Sequence, residues 1–238
     1  MGNSPAHLIF EFLSYTLGFR YYLFLRKKQT DSYSDDDRLK IFIGAALGAF
    51  LGSHILGVLE NPPLINQISF VYFMGNKTIV GGFLGGLIGV ELSKKILKRT
   101  ESSGDLMVYP IILAMILGRI GCFLAGMKDG TFGVPTHLPW GMNLGDGIPR
   151  HPTNLYEILF WIILWIFLKK IQSEFALKDG SLFKICLFLY LVFRFFIEFI
   201  KPDYFFSFGL STIQIACISG ILYYYKVFIK PQSLIKNA

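Results

Sequence analysis

The sequence predicts an all-α polytopic membrane protein with seven transmembrane helices, its N-terminus outside the cytoplasm and its C-terminus inside. Three observations predict it. The 238-residue chain is 53% hydrophobic and only 16% charged, where a soluble domain carries about 25% charged residues. Its apolar residues gather into runs near the roughly 20 residues that a helix needs to cross a bilayer core. Lys and Arg concentrate in alternate connections between those runs, as the positive-inside rule requires of cytoplasmic loops.

The runs fall at about 6–25, 41–59, 78–97, 106–125, 154–170, 182–200 and 209–229, within a single integral-membrane domain, 1–238. The first connection holds Arg26, Lys27, Lys28, Arg38 and Lys40, the third Lys94, Lys95, Lys98 and Arg99, and the fifth Lys169, Lys170 and Lys178. The tail adds Lys226, Lys230 and Lys236, whereas the second connection has only Lys77 and the sixth only Lys201. Odd connections are therefore cytoplasmic. The net charge of +7 is spent on these flanks. No basic stripe with interleaved aromatics remains, and nucleic acid is set aside as a partner.

Cys122, Cys186 and Cys217 show neither a disulfide framework nor a zinc spacing. No metal or cofactor is expected. The first run lacks a basic leader and a small-residue cleavage site, so it reads as a retained helix.

The outer connection 126–153 is the longest. It carries Gly126, Gly130, Gly133, Pro135, Pro139 and Gly141, with Asp129, His137, Trp140, Arg150 and His151. Long ordered loops are commonly functional, and a bare tether has no use for Trp and an Arg-His-Pro run.

Ionisable residues within apolar helices are costly and mark candidate sites. Arg119, Arg194, Glu198, Glu11, His54, Glu60 and Glu157 all fall toward the outer side of their runs. Arg194 and Glu198 have the i,i+4 spacing that places them on one helix face. Arg119 is bracketed by Gly118 and Gly121, which permit close approach of a ligand or helix. Arg20 and Glu91 read equally as groups that snorkel to the inner interface. The Gly81–Gly89 stretch, with Gly85 and Gly86, reads either as a tight helix seam or as a lipid-entry groove. Guanidinium groups bind phosphate bidentately. These residues therefore point to an outward-facing site for an anionic lipid head group, without naming a reaction.

The motifs taken together resemble the prolipoprotein diacylglyceryl transferase family. Gly118-Arg119-Ile120-Gly121-Cys122-Phe123-Leu124-Ala125-Gly126, with Gly130 and Gly133 beyond, is similar to that family's signature. Arg150-His151-Pro152-Thr153-Asn154-Leu155-Tyr156-Glu157 resembles its Arg-His-Pro segment. Arg194 and Glu198, with Pro202 and Asp203, resemble a third segment, and Ser211-Thr212-Ile213-Gln214 fits the region after it. Arg20-Tyr21-Tyr22 resembles a helix 1 motif and Phe83–Gly89 a glycine-rich helix 3. The departures are Leu84 for the family's His, Cys122 and Ala125 for its two Asn, Met127 for its acidic residue and Lys201 for an Arg.

The resemblance implies transfer of the diacylglyceryl group of phosphatidylglycerol to the lipobox cysteine of lipoprotein precursors, at the bacterial cytoplasmic (inner) membrane. It implies Arg119, Arg194, Glu198 and His151 as catalytic residues, with Asp129 or His54 as other candidates for handling protons. Tyr22, Gly85, Gly86, Gly121, Cys122, Gly133, Arg150 and Tyr156 would bind substrate. The departures leave open a divergent member that binds or modifies another lipid or acceptor. A membrane transporter is a further alternative.

Overall fold

The computed structural model describes residues 5–28, 33–62, 69–201 and 206–236. A helix occupies each of the seven apolar runs. In chain order the helices are α1 (Pro5–Lys28), α2 (Asp35–Glu60), α3 (Phe70–Gly75), α4 (Ile79–Ile96), α5 (Val108–Ala125), α6 (Thr153–Glu174), α7 (Ser181–Ile197), α8 (Thr212–Tyr223) and α9 (Tyr225–Ile229). The described residues also hold short 3-10 turns, a two-residue antiparallel pair, Met142–Asn143 with Pro149–Arg150, and isolated bridges between Pro135 and Arg150 and between Leu177 and Ile235. Pro202 and Asp203 lie outside the described residues.

Local chemistry sets the helix ends. Ser34 accepts from Asp37 N at 3.2 Å, and Asp35, Asp36 and Asp37 occupy the first turn of α2. A capping hydroxyl and acidic residues satisfy the free N–H groups and dipole there, so α2 begins before its apolar run does. Thr78 caps α4 in the same way, accepting from Gly81 N at 3.2 Å. Gly126, at φ 59°, closes α5 in a backbone conformation that L side chains rarely adopt. Ser211 and Gln214 form a reciprocal capping box at the start of α8.

Two elements depart from the sequence expectation. The short helix α3, capped by Ser69, stands in what reads as a plain connection. The last run is split at Tyr224 into α8 and α9 instead of forming one helix over 209–229.

The helices pack as antiparallel neighbours. Gly44, Gly48 and Gly52 of α2 face Gly89, Gly85 and Gly81 of α4. A methyl group on any of these six would strike the backbone of the facing helix or, at Gly44, the Ser93 side chain. Small residues let membrane helices approach this closely, so Gly85 belongs to a seam, and Gly86 looks onto Ala45 and Ala49 beside it. On the other side α1 lies along α5, with Phe10 and His7 against Gly121 and Ala114 against Gly18. The core between them is aromatic: Trp161 and Tyr190 stack at 4.8 Å, with Phe83 and Phe160 alongside.

Many large apolar side chains stay exposed, among them Phe12, Val71, Ile96, Ile163, Ile166 and Phe228. The Asp35–Glu60 and Asp105–Asp129 stretches are long and apolar enough to cross a membrane.

The two ends of the bundle differ. One end carries the 126–153 connection, here called the loop end. At the opposite, basic end Arg99 pairs with Asp37 at 2.7 Å and Arg26 with Asp35 at 2.9 Å. Arg38 there donates to Ser103 O at 2.9 Å. The tail folds back at that end: Lys178 N and Ser181 Oγ both donate to Leu234 O, and Lys236 N donates to Ala176 O.

Candidate functional site

Five ionisable side chains meet, buried, at the loop end. Arg119 leaves α5 one and a half turns before its end, and Glu157 leaves the second turn of α6. Their antiparallel packing brings Arg119 Nε to 2.6 Å from Glu157 Oε2. Lys201 Nζ approaches the other oxygen, Oε1, at 3.6 Å. Arg194 Nη2 lies 2.8 Å from Glu198 Oε2, the pair expected from the i,i+4 spacing. Ser211 Oγ donates to Glu198 Oε1 at 3.2 Å, which ties the pair to the cap of α8. Both carboxylates are fully withdrawn from solvent.

Charges taken out of water are tolerated only when paired. Here Arg119, Arg194 and Lys201 face Glu157 and Glu198, with Glu60 also acting on Arg194. Burial, and then Arg194, push the Lys201 ammonium down from the usual lysine range. Arg194 Nη1 is buried without a hydrogen-bond partner among the described residues. Buried guanidinium donors are what an anionic ligand requires.

A second cluster adjoins the first. Cys122 Sγ lies 3.9 Å from Arg119 Nη1, one turn further along α5. Beyond it His7 Nδ1 is 2.8 Å from Asp129 Oδ1, and the thiol, imidazole and carboxylate donors lie within 4.8 Å of one another. His7 does not stand out in the sequence, because its partner Asp129 lies 122 residues further along the chain. Glu157 reads in the sequence as one of several outer ionisable groups and as the end of the Arg-His-Pro segment, with no partner indicated.

The loop residues form their own shell. Gly133 N donates to His151 O at 3.1 Å, and a side chain at Gly133 would strike the His151 Cβ. His151 Nδ1 is 3.2 Å from Tyr156 Oη, which also accepts from Trp140 Nε1 at 2.8 Å. Arg150 Nε binds Asp146 Oδ2 at 2.7 Å and its guanidinium covers the Phe132 ring. That hydrogen bond holds the Asp146 carboxyl below the usual aspartate range.

The structure does not bring every predicted residue to this place. Tyr22 is buried in an edge-on contact with Phe42. It stands twelve residues along α1 from Phe10, about 18 Å at the helical rise, toward the basic end. His54 turns Nδ1 to the carbonyls of Phe73 and Asn76 at 3.0 and 2.8 Å and packs on Phe50 and Phe73. Leu84, at the position of the family's His, points at Gly220 of α8. Glu91 pairs with Lys94 at the basic end, and Arg20 is exposed on α1.

Known proteins are similar in sequence. The model of the prolipoprotein diacylglyceryl transferase family matches residues 11–229. A phosphatidylglycerol–prolipoprotein diacylglyceryl transferase of Coxiella burnetii is 34% identical over 175 residues, covering 69% of this chain and 62% of that protein. The chain thus spans less than two thirds of the Coxiella relative. A protein of the same name from Nitratidesulfovibrio vulgaris is 31% identical over 217 residues, 81% of this chain and 75% of that one. One from Cupriavidus metallidurans is 35% identical over 195 residues, 76% and 67%. With Arg119, Arg194 and Glu198 gathered at one end of the bundle and the match running through nearly all of its helices, the chain belongs to the prolipoprotein diacylglyceryl transferase family.

Proposed function

We propose that this protein transfers the diacylglyceryl group of phosphatidylglycerol to the lipobox cysteine thiol of lipoprotein precursors. It does so from the outer side of the bacterial cytoplasmic membrane, as a single seven-span domain, 1–238, with the loop end outside and the basic end in the cytoplasm. The exposed apolar belt and the Lys and Arg residues of the basic end support that placement.

The observation that carries the reading is the buried charge cluster, in which Arg194 Nη1 has no hydrogen-bond partner among the described residues. In the reaction the acceptor sulfur forms a C–S bond to the glyceryl carbon. The C–O bond to the phosphate breaks, glycerol phosphate leaves, and the thiol proton passes to a base. Negative charge grows on the departing phosphate, and preorganised cations lower the barrier there. Arg119 and Arg194 take that role, and Glu198 fixes Arg194. His151, at the outer rim beside Tyr156, receives the proton, because His54 is already engaged with two carbonyls. Gly121 and Gly133 admit close packing around the head group, with Arg150, Cys122 and Tyr156 at its edge. Gly85 and Gly86 act through the seam and Tyr22 through the aromatic packing of α1.

A second reading is favoured by Leu84 and Cys122, which stand where the family has His and Asn. The same head-group chemistry then serves another acceptor. The test uses purified protein, phosphatidylglycerol with labelled acyl chains and a lipobox peptide. A diacylglyceryl thioether on the peptide with the wild type, absent with Arg119→Ala, supports the transferase. No product from folded protein supports the second reading.

A further inference from the structure

We propose that His7, Cys122 and Asp129 form a binding site for a divalent cation of the zinc class at the loop end of α1 and α5. The three donors come from separate places: the start of α1, the last turn of α5 and the 3-10 turn Gly126–Asp129 that follows it. His7 Nδ1 is 2.8 Å from Asp129 Oδ1, and one donor atom from each residue lies within 4.8 Å of the other two. Imidazole, thiolate and carboxylate are the ligand types zinc takes, and three protein donors leave a tetrahedral ion one further position. A relay of thiol, imidazole and carboxylate would instead set sulfur and carboxylate on opposite ring nitrogens, well apart. Here sulfur and carboxylate also approach each other, so the donors close a triangle around one point.

The surroundings fit an ion as well. The second ring nitrogen of His7, Nε2, faces Glu11 Oε2 at 3.8 Å, and Lys77 holds Glu11 at 3.2 Å. A metal-bound imidazole ordinarily turns its other nitrogen to a carboxylate, which fixes its tautomer and direction. Asp129 is steadied by the Thr131 hydroxyl, itself 3.0 Å from Asn154 Oδ1. Thiolate and carboxylate together offset the two charges of the ion. The nearby Arg119 does not oppose it, because Glu157 already pairs that guanidinium. The side chains of His7 and Asp129 are 17% and 6% exposed, so the site is shielded yet reachable. Sequence spacing could not reveal it, with ligands 115 residues apart between His7 and Cys122, and His7 precedes the 11–229 family match.

The test uses the full chain in detergent micelles, stripped with a chelator and equilibrated with zinc chloride. Elemental mass spectrometry is expected to find one zinc per chain, lost in His7→Ala and in Cys122→Ser. Glu11→Gln is expected to weaken zinc binding about 10–100-fold, the usual effect of removing the carboxylate behind a ligating histidine. Wild-type protein loaded with cobalt instead is expected to show sulfur-to-metal charge-transfer absorption, a readout that needs no variant to fold. Substoichiometric zinc in the wild type, a cobalt spectrum without the sulfur band, or equal zinc in folded Cys122→Ser overturns the site. Metal content is read without any lipid, so this result and the fate of the transferase reading are independent.

Discussion

Arg119 and Glu157 meet at 2.6 Å between α5 and α6, and neither side chain retains appreciable contact with solvent. Removing one partner of such a pair strands the other charge. Glu157→Gln leaves both Arg119 and Lys201 without their carboxylate. It is expected to cost about 3–5 kcal/mol of stability, read as a lowered midpoint in denaturant titration of the purified protein. A change below about 1 kcal/mol would mean that the pair is solvated in the folded protein.

Arg194 offers the clearest test of the anion site. Arg194→Lys keeps a positive charge beside Glu198 but removes the fork that binds phosphate at two points. Transfer to a lipobox peptide is expected to fall about 10²–10³-fold, the scale of losing one preorganised donor to a developing oxyanion. Full activity in this variant would remove Arg194 from the phosphate's surroundings.

The α2–α4 seam predicts a loss that has nothing to do with chemistry. Gly85→Ala places a methyl group against the Gly48 carbonyl and Gly52 Cα. Overpacking of this kind costs about 1–3 kcal/mol. Thermal unfolding is expected at a lower temperature, with Gly118→Ala as the control, since nothing lies within 4 Å of a methyl group there.

Asp146 predicts a pH dependence in the outer loop. Its carboxyl is held below the ordinary range by the Arg150 hydrogen bond. A folded pKa below the unfolded one gives stabilisation that is present above the usual aspartate range and is lost as pH falls through the depressed folded value. Protection of the amides in residues 142–150, measured relative to intrinsic exchange at each pH, is expected to fall on acidification only through that window, and Arg150→Gln is expected to remove the dependence. Protection that stays constant across that window in the wild type would show that the pair does not order the loop.

Much of this was legible in the residues. Apolar length gave a helix in each of the seven runs, and i,i+4 spacing gave Arg194–Glu198, because both signals are local. The Arg119–Glu157 pair was not legible, since it depends on how α5 and α6 slide past each other. The same holds for His7, which acquires neighbours only when α1 lies along α5. Gly85 had two readings in the sequence, and the facing glycines of α2 decide for the seam. Tyr22 looked like a site residue from its motif, yet the rise along α1 carries it toward the other end. The α8–α9 break at Tyr224 is marked in the sequence only by Lys226, two residues on, which reads equally as the basic flank of one longer helix.

The hydrogen bonds from Lys178 and Ser181 to Leu234, and from Lys236 to Ala176, make the tail a clasp on the α6–α7 turn. That clasp grips α7 at its first residue, Ser181, while Ser211 grips Glu198 just past its last turn. The helix bearing Arg194 is thus pinned at both ends by segments that follow it in the chain, which fixes its rotation and so the direction in which Arg194 points.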